Sequence, residues 1–250
     1  MLDVKEHENV IEISMQRPPV NAMNQEFVDA IADSINHYVR EGADALILSG
    51  REGLFSAGID VPELLELDHD DVNEFWTRFF VLMNTVAGCQ VPVVAAITGH
   101  SPAGGAVLAL HCDYRVATRG KFNIGMNEVQ VGLPVPRNLI AALEYVVGNR
   151  QAALLSSSGA LIRPDKALEI GLVDELADPG EVVTCALGWL KEMLALPPIA
   201  MNKTRLAAKS ALLERAAENT AYARVATDYW FSDETQTTMK QLVASLSKKS

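Results

Sequence analysis

Two short glycine-containing segments hold the backbone groups best suited to chemistry. Residues 99–105 read Gly-His-Ser-Pro-Ala-Gly-Gly, between a strand-like run and an apolar, helix-forming run. A glycine pair at such a strand-to-helix crossover exposes backbone N–H groups at a positive helix N-terminus, which suits an anion or a developing negative charge. This arrangement supplies one half of an oxyanion hole. Residues 55–60, Phe-Ser-Ala-Gly-Ile-Asp, offer the second donor, because Gly58 can turn the chain sharply and point the Ile59 N–H outward.

Glu128 is the acidic residue whose surroundings favour proton transfer. It lies in the segment 124–131, Ile-Gly-Met-Asn-Glu-Val-Gln-Val, among apolar and amide side chains. An isolated glutamate is usually a solvated surface residue. A carboxylate desolvated by apolar neighbours instead has a raised pKa, which fits it to take and return a proton near neutral pH. The neighbouring Asn127 could orient this carboxylate, although an asparagine beside a turn is more often structural.

Composition limits the class of protein that positions these groups. The chain has 250 residues, of which 49% are hydrophobic and 21% charged, so it can bury a substantial core. No apolar stretch approaches the roughly 20 residues that span a bilayer, and the charged N-terminus lacks an apolar signal core. The net charge of −11 weighs against nucleic acid and anionic membranes. We expect a cytoplasmic protein without nucleic-acid or membrane partners.

The thiol and imidazole side chains predict neither disulfides nor a metal site. Cys89, Cys112 and Cys185 are an odd number, widely spaced in apolar contexts, which favours reduced core residues. The five histidines form no metal-ligand pair on a helix face. We therefore expect no metal ion and no separate cofactor.

Strand-like and helical patterns alternate along the first half of the chain. This alternation predicts an α/β protein with a parallel sheet. The last 110 or so residues are poor in strands, and Pro197-Pro198 is a candidate start for a terminal module. We expect a core with the active site over 1–196 and a C-terminal helical module over 197–250. The predicted strands are 9–15, 45–49, 91–98 and 114–117, and the predicted helices are 24–38, about 70–87 and a short helix ending near 110.

Four motifs in register resemble the crotonase (enoyl-CoA hydratase/isomerase) superfamily over essentially the whole chain. They are Arg-Pro-Pro-Val-Asn-Ala at 17–22, the 55–60 segment, Pro-Ala-Gly-Gly at 102–105 with Cys-Asp at 112–113, and Asn127-Glu128 followed by Gly132. The residues in these motifs are most similar to those of mitochondrial-type Δ3,Δ2-enoyl-CoA isomerases. The resemblance implies a spiral of ββα units with C-terminal helices used in trimer assembly. It also implies an acyl-CoA substrate, with coenzyme A as part of that substrate.

The resemblance also implies roles for individual residues. The superfamily stabilises a thioester enolate with two backbone N–H groups, which map onto Ile59 and Gly104, and its catalytic carboxylate maps onto Glu128. Residues assigned to the substrate-binding surface are Ala22, Ser56, Ala57, Gly58, Asp60, Gly105, Val107 and Asn127.

Val107 departs from the pattern of the hydratases in this superfamily. Many of them carry a second glutamate at this position, and valine cannot activate a water molecule. Shifting a double bond needs only one base, so the sequence favours an isomerase. Asp60 and Glu63 are candidates for a second acid located elsewhere. An enoyl-CoA hydratase and a non-catalytic CoA-binding member remain the alternatives.

Basic residues near these motifs are candidate contacts for the coenzyme A phosphates. They are Arg17, Arg51, Lys203, Arg205 and Lys209, and for each of them a solvated surface pair is the default interpretation.

Several aromatic residues lie in the helices of the C-terminal third. They give more aromatic surface than a small helical cap needs, and aromatic side chains are enriched in interface cores. We therefore expect a homotrimer or a dimer of trimers. The residues are Trp189, Tyr222, Tyr229, Trp230 and Phe231.

Overall fold

Nine strands form two sheets in the computed structural model, which describes residues 1–247. The larger sheet has the order β1-β2-β3-β5-β7-β9, and the smaller has the order β4-β6-β8. The β1–β2 pair is antiparallel, and the other pairs are parallel. The strands are β1 Leu2–His7, β2 Val10–Met15, β3 Ala45–Ser49, β4 Gly53–Leu54, β5 Val93–Ile97, β6 Gly99–Pro102, β7 Tyr114–Thr118, β8 Ile124–Gly125 and β9 Glu175–Ala177.

Eleven α-helices lie within residues 1–247. They are α1 Gln25–Arg40, α2 Val61–Leu64, α3 His69–Ala87, α4 Gly104–His111, α5 Arg137–Ser158, α6 Pro164–Glu169, α7 Val182–Leu194, α8 Pro198–Ala208, α9 Ser210–Leu213, α10 Asn219–Trp230 and α11 Asp233–Ser247. Short 3-10 helices cover Glu128–Val131 and Glu214–Glu218.

The chain repeats two strands followed by a helix. In the second, third and fourth repeats, the first strand joins the larger sheet and the second joins the smaller one. The predicted α/β architecture of ββα units is therefore confirmed. Helix α1 shows how the sequence specifies its elements. The Asn24 side chain caps the helix by accepting from the Phe27 N–H at 3.0 Å, and the apolar residues at helical spacing, Phe27, Ile31 and Ile35, are buried.

Both faces of the larger sheet are covered. One face packs against α1, α3 and α4 in the main hydrophobic core, and the other packs against α7. On α7, Val182, Ala186 and Leu190 follow helical spacing and lie against the sheet. A strand that is apolar on both sides is typical of such a doubly covered parallel sheet. This packing makes the sheet a rigid base for the loops that follow its strands.

The strand predicted at 91–98 is in fact two strands that belong to different sheets. Strand β5 ends at Ile97, and the chain then passes into β6, which pairs with β4. The two backbones approach so closely that a Cβ added at Gly99 would lie 1.9 Å from the carbonyl carbon of Gly53. The short strands β4, β6 and β8 and the charged edge strand β1 were not predicted from the sequence.

Two predicted phosphate contacts are instead buried partners of one carboxylate. Arg205 Nη1 lies 3.1 Å from Asp113 Oδ2, and Lys209 Nζ lies 2.6 Å from Asp113 Oδ1, with all three side chains buried. The prediction for Arg205 and Lys209 was therefore wrong. A buried carboxylate between two cations holds them in place, because removing it would leave buried charge without a partner. These pairs fix α8 and the turn before α9 to the end of α4. Lys203 is exposed.

The C-terminal helices pack on the core of their own chain. Helix α10 lies along α3, and Trp230 at its end is fully buried, whereas Tyr229 and Phe231 are 47% and 38% exposed. Part of the aromatic surface expected between protomers is thus internal. The division of the chain at residue 197 stays a prediction, although helices beyond it take part in the site described below.

Cysteine burial agrees with the sequence for two of the three thiols. Cys89 and Cys112 are buried, whereas Cys185 is half-buried on α7. Within residues 1–247 no single helix is long and apolar enough to cross a membrane. By length and composition alone, α7 and α8 pass such a test as a pair, with a bend of 113° between them.

Candidate active site

The three segments that carry the predicted chemistry follow the three strands of the smaller sheet. Residues 55–60 come after β4, Ala103 and α4 come after β6, and Asn127 and Glu128 come after β8. Because these strands are parallel and hydrogen-bonded neighbours, their carboxyl ends lie side by side. The carboxyl ends of parallel strands are where open α/β sheets place their ligand sites.

Gly58 and Gly104 bring two backbone N–H groups together. Gly58 has a φ of +93°, which favours glycine, and a Cβ added to it would lie 3.1 Å from the Gly104 nitrogen. A Cβ added to Gly104 would lie 3.5 Å from the Ile59 nitrogen. The two peptide nitrogens predicted to form the oxyanion hole therefore lie next to each other, on neighbouring loops.

Both N–H groups are available to a ligand. Within residues 1–247, neither the Ile59 nor the Gly104 N–H donates to a protein acceptor. Gly104 is the first residue of α4, where N–H groups have no acceptor inside the helix and carry the positive end of the helix dipole. The backbone that leads into it is unusual, since Ala103 has φ 46° and ψ −124°, and its N–H is fixed by the Gly125 carbonyl at 2.8 Å.

Buried polar contacts hold the 55–60 loop from behind. The Ser56 hydroxyl donates to the Asn21 carbonyl at 2.7 Å and accepts from the Gly58 N–H at 3.1 Å. The Asn21 amide donates in turn to the Phe55 carbonyl at 2.9 Å. Gly105 allows α4 to approach this loop, because a Cβ there would lie 2.7 Å from the Ser56 carbonyl oxygen. The donors are thereby preorganised before any ligand binds.

Glu128 is a buried carboxyl near the end of β8. It begins the 3-10 helix after that strand and is 8% exposed, and its Oε2 has no hydrogen-bond partner in the described part of the chain. Burial raises the pKa of this carboxyl to about 7, and a hydrogen bond with its own backbone opposes the rise only in part. A pKa near the working pH suits a group that both accepts and donates a proton.

These groups line one cavity of about 280 Å3. Six predicted residues reach it. They are Ala57, Ile59, Gly104, Val107, Asn127 and Glu128. Apart from the carboxyl of Glu128 and the amide of Asn127, the wall is almost entirely apolar. Among the lining residues of the described chain, Glu128 is the one titratable side chain. Nowhere in residues 1–247 do three or more His, Cys, Asp or Glu side chains gather as a metal site.

Five other predicted residues lie outside the cavity wall, where they shape or support the loops. They are Ala22, Ser56, Gly58, Asp60 and Gly105. Arg17, a candidate phosphate contact, instead forms hydrogen bonds within its own chain. Its Nη1 donates to Asp60 Oδ2 at 2.6 Å and to the Ala22 carbonyl at 2.8 Å, and its Nη2 donates to Glu63 Oε2 at 3.0 Å. Both candidate second acids thus pair with Arg17 rather than face the cavity. Arg51 is exposed, and its role stays a prediction.

Sequence reasoning missed the apolar wall. Trp76 and Phe79 on α3 line the cavity, as do Ala226 on α10 and Met239 and Leu242 on α11. The aromatic residues recur at helical spacing in α3, and this spacing could have predicted that one face of the helix is apolar and buried. The residues of α10 and α11 carry no comparable signal, because their place at the cavity follows from long-range packing.

The raised pKa of Glu128 predicts how stability depends on pH. The folded protein binds this proton more tightly than the unfolded chain, so the contribution of Glu128 to the free energy of unfolding falls as pH rises from 4.5 to about 7. This shift corresponds to a loss on the order of 3 kcal/mol above pH 7. Glu128→Gln removes the titration, so the variant should gain stability relative to the wild type as pH rises from 5 to 8. Urea unfolding at both pH values measures this, and a stability difference that is independent of pH would contradict the titration.

Comparisons with known proteins agree with the motifs and with the fold. The family profile described as enoyl-CoA hydratase/isomerase matches residues 5–246. Human mitochondrial enoyl-CoA delta isomerase 1 is 31% identical over 206 residues, which are 81% of this chain and 68% of that protein. A probable enoyl-CoA hydratase of Mycobacterium tuberculosis is 32% identical over 188 residues, which are 75% of this chain and 72% of that protein.

A solved structure extends the agreement to the whole chain. The crystal structure of human mitochondrial delta3-delta2-enoyl-CoA isomerase superimposes with a TM-score of 0.95 at 28% identity, covering 99% of this chain and 98% of that one. The expected crotonase-like fold is therefore confirmed. The family profile, the relatives and the superposition together show that the chain belongs to the enoyl-CoA hydratase/isomerase (crotonase) family.

Proposed function

We propose that this protein is a Δ3,Δ2-enoyl-CoA isomerase, which moves a double bond from C3 to C2 of an acyl-CoA thioester. One observation carries the proposal: among residues 1–247, Glu128 is the one carboxylate that faces the apolar cavity, and it lies beside two backbone N–H groups that donate to no protein acceptor. The similarity to human mitochondrial enoyl-CoA delta isomerase supports it.

The proposed reaction uses Glu128 twice. The thioester oxygen accepts hydrogen bonds from the Ile59 and Gly104 N–H groups. The Glu128 carboxylate removes a proton from C2, and the electron pair of the broken C–H bond delocalises onto the thioester oxygen as an enolate conjugated with the C3–C4 double bond. Glu128 then returns the proton to C4. The carbonyl re-forms, the double bond lies between C2 and C3, and the carboxylate is regenerated.

The two backbone donors supply what proton removal from carbon requires. Negative charge develops on the thioester oxygen in the transition state, and fixed donors stabilise it without reorganisation. In other enzymes, loss of one such donor lowers the rate by about 10²–10³-fold. The apolar wall strengthens these interactions, because charges attract more strongly where water is excluded.

The cavity wall disfavours hydration as the main reaction. Adding water across a double bond needs one group to activate the water and another to protonate carbon. Val107 presents only hydrocarbon where a second carboxylate stands in many hydratases, and Asp60 and Glu63 are paired with Arg17. Glu128 alone suffices for isomerisation.

Kinetics with two substrates test this function. Offered 3-enoyl-CoA, the protein should form the conjugated 2-enoyl thioester, seen as rising ultraviolet absorbance. Glu128→Gln should lower kcat by about 10⁴-fold or more with little change in KM, because the amide keeps the shape and removes the base. Glu66→Gln makes the same chemical change at an exposed site and should leave both constants unaltered.

Two results would contradict the isomerase proposal. One is a Gln variant at position 128 that keeps more than about a tenth of the wild-type rate, since a different base would then be responsible. The other is hydration of 2-enoyl-CoA by the wild type at a rate equal to or above its isomerisation of 3-enoyl-CoA.

We further propose that the protein assembles as a homotrimer or a dimer of trimers. An open groove of about 510 Å3 between α7 and α8 is lined mostly by apolar side chains, including Trp189 and Leu196, together with the ion-paired Asp113, Arg205 and Lys209. Nearby Ile199 is 72% exposed. Light scattering should give three or six times the mass of one chain, and Ile199→Glu should weaken the assembly. A stable wild-type monomer at micromolar concentration would contradict this proposal.

A further inference from the structure

The last two helices form part of the wall of the candidate active-site cavity. Ala226 on α10 and Met239 on α11 both line it and are 3% and 1% exposed. Leu242, one turn after Met239, lines it as well. Among the described side chains of these two helices, none that lines the cavity is polar. Their contribution is therefore to its shape and size.

This wall is fixed to the segment that carries Glu128. The Thr235 hydroxyl of α11 donates to the Gly132 carbonyl at 2.5 Å. The backbones touch at this point, because a Cβ added to Gly132 would lie 3.3 Å from the Thr235 Cα. The Gln236 amide donates to the Trp230 carbonyl at 2.9 Å and ties α11 to α10, whose Trp230 is fully buried. These contacts hold α10 and α11 in place as one side of the cavity wall.

The cavity volume sets a length for an apolar ligand. A cavity of about 150 Å3 in another protein admits benzene, which has six carbon atoms. On that scale the 280 Å3 found here holds roughly eleven carbon-sized atoms. The carbons nearest Glu128 and the two N–H donors occupy one part of this space, and the rest of the acyl chain must fit within the remainder.

We propose that the protein is selective for medium-chain acyl-CoA thioesters, with about eight to twelve acyl carbons, and that Ala226 and Met239 set the upper limit. The proposal rests on the proposed function in taking an acyl-CoA thioester as the ligand. Ala226 is the most sensitive position, because its methyl group leaves space that a longer side chain would fill. Leucine there adds three carbons and should shorten the accepted chain by about three carbons.

A chain-length series tests the limit. For 3-enoyl-CoA substrates of 6 to 16 carbons, kcat/KM should rise by about fourfold for each added methylene while the cavity fills. The rise should stop by about twelve carbons. Ala226→Leu should move this limit to a shorter chain, and Met239→Ala should move it to a longer chain. Val225→Leu, at a 46% exposed position on the same helix, is the matched control and should leave the profile unchanged.

Binding of saturated acyl-CoA thioesters separates this inference from the isomerase proposal. These ligands cannot isomerise, so a length limit in their affinities that moves with Ala226→Leu supports the inference even if no isomerase activity is found. Isomerase activity without a length limit would leave the proposed function standing and overturn the inference. An affinity or kcat/KM that keeps rising to sixteen carbons in the wild type would overturn it as well. If Ala226→Leu fails to fold, as judged by thermal melting, the wild-type and Met239→Ala series decide the matter.

Discussion

The close approach of the 55–60 loop to the start of α4 is the constraint on which the candidate site depends. It brings the Ile59 and Gly104 N–H groups next to each other. At Gly58 and Gly105 the two backbones are so close that a Cβ atom would force neighbouring atoms to move. The two segments are close because the strands that precede them, β4 and β6, are hydrogen-bonded neighbours. The parallel pairing of β6 with β8 then brings Glu128 to the same edge.

The same arrangement leaves polar groups unsatisfied inside the protein. Glu128 Oε2 has no hydrogen-bond partner among the residues that the structure describes, and an unsatisfied buried group costs on the order of 1–3 kcal/mol. The doubly covered sheet and the buried ion pairs around Asp113 make the scaffold rigid enough to keep such groups in place. Unsatisfied groups that converge on a cavity are ready to bind a ligand that supplies the missing partners. In this account, the burial that destabilises the Glu128 carboxylate is also what gives it a pKa suited to proton transfer.

Much of the site was predictable from sequence because it rests on local chemistry. Three signals could be interpreted from about ten neighbouring residues each. They are the glycines at a strand-to-helix crossover, the glycine turn before Ile59, and the glutamate among apolar residues. The family resemblance assigned their roles, and α/β alternation gave the fold class. Predictions failed where contacts span long stretches of chain. Arg205 pairs with Asp113 across 92 positions, and α11 reaches the cavity from the far end of the sequence. Neither the hydropathy nor the spacing of these residues indicates which distant part of the chain they will contact.

The central claim is that one carboxylate moves a proton from C2 to C4, and isotope transfer tests it most directly. The substrate is 3-enoyl-CoA carrying deuterium at C2, converted in a single turnover in ordinary water, with the product analysed for deuterium at C4. Because Glu128 Oε2 is buried in an apolar cavity, we expect deuterium removed from C2 to appear at C4 in a substantial fraction of the product. Isomerised product that carries no transferred deuterium at C4 would contradict direct transfer, because the proton at C4 would then come from solvent or from a separate donor.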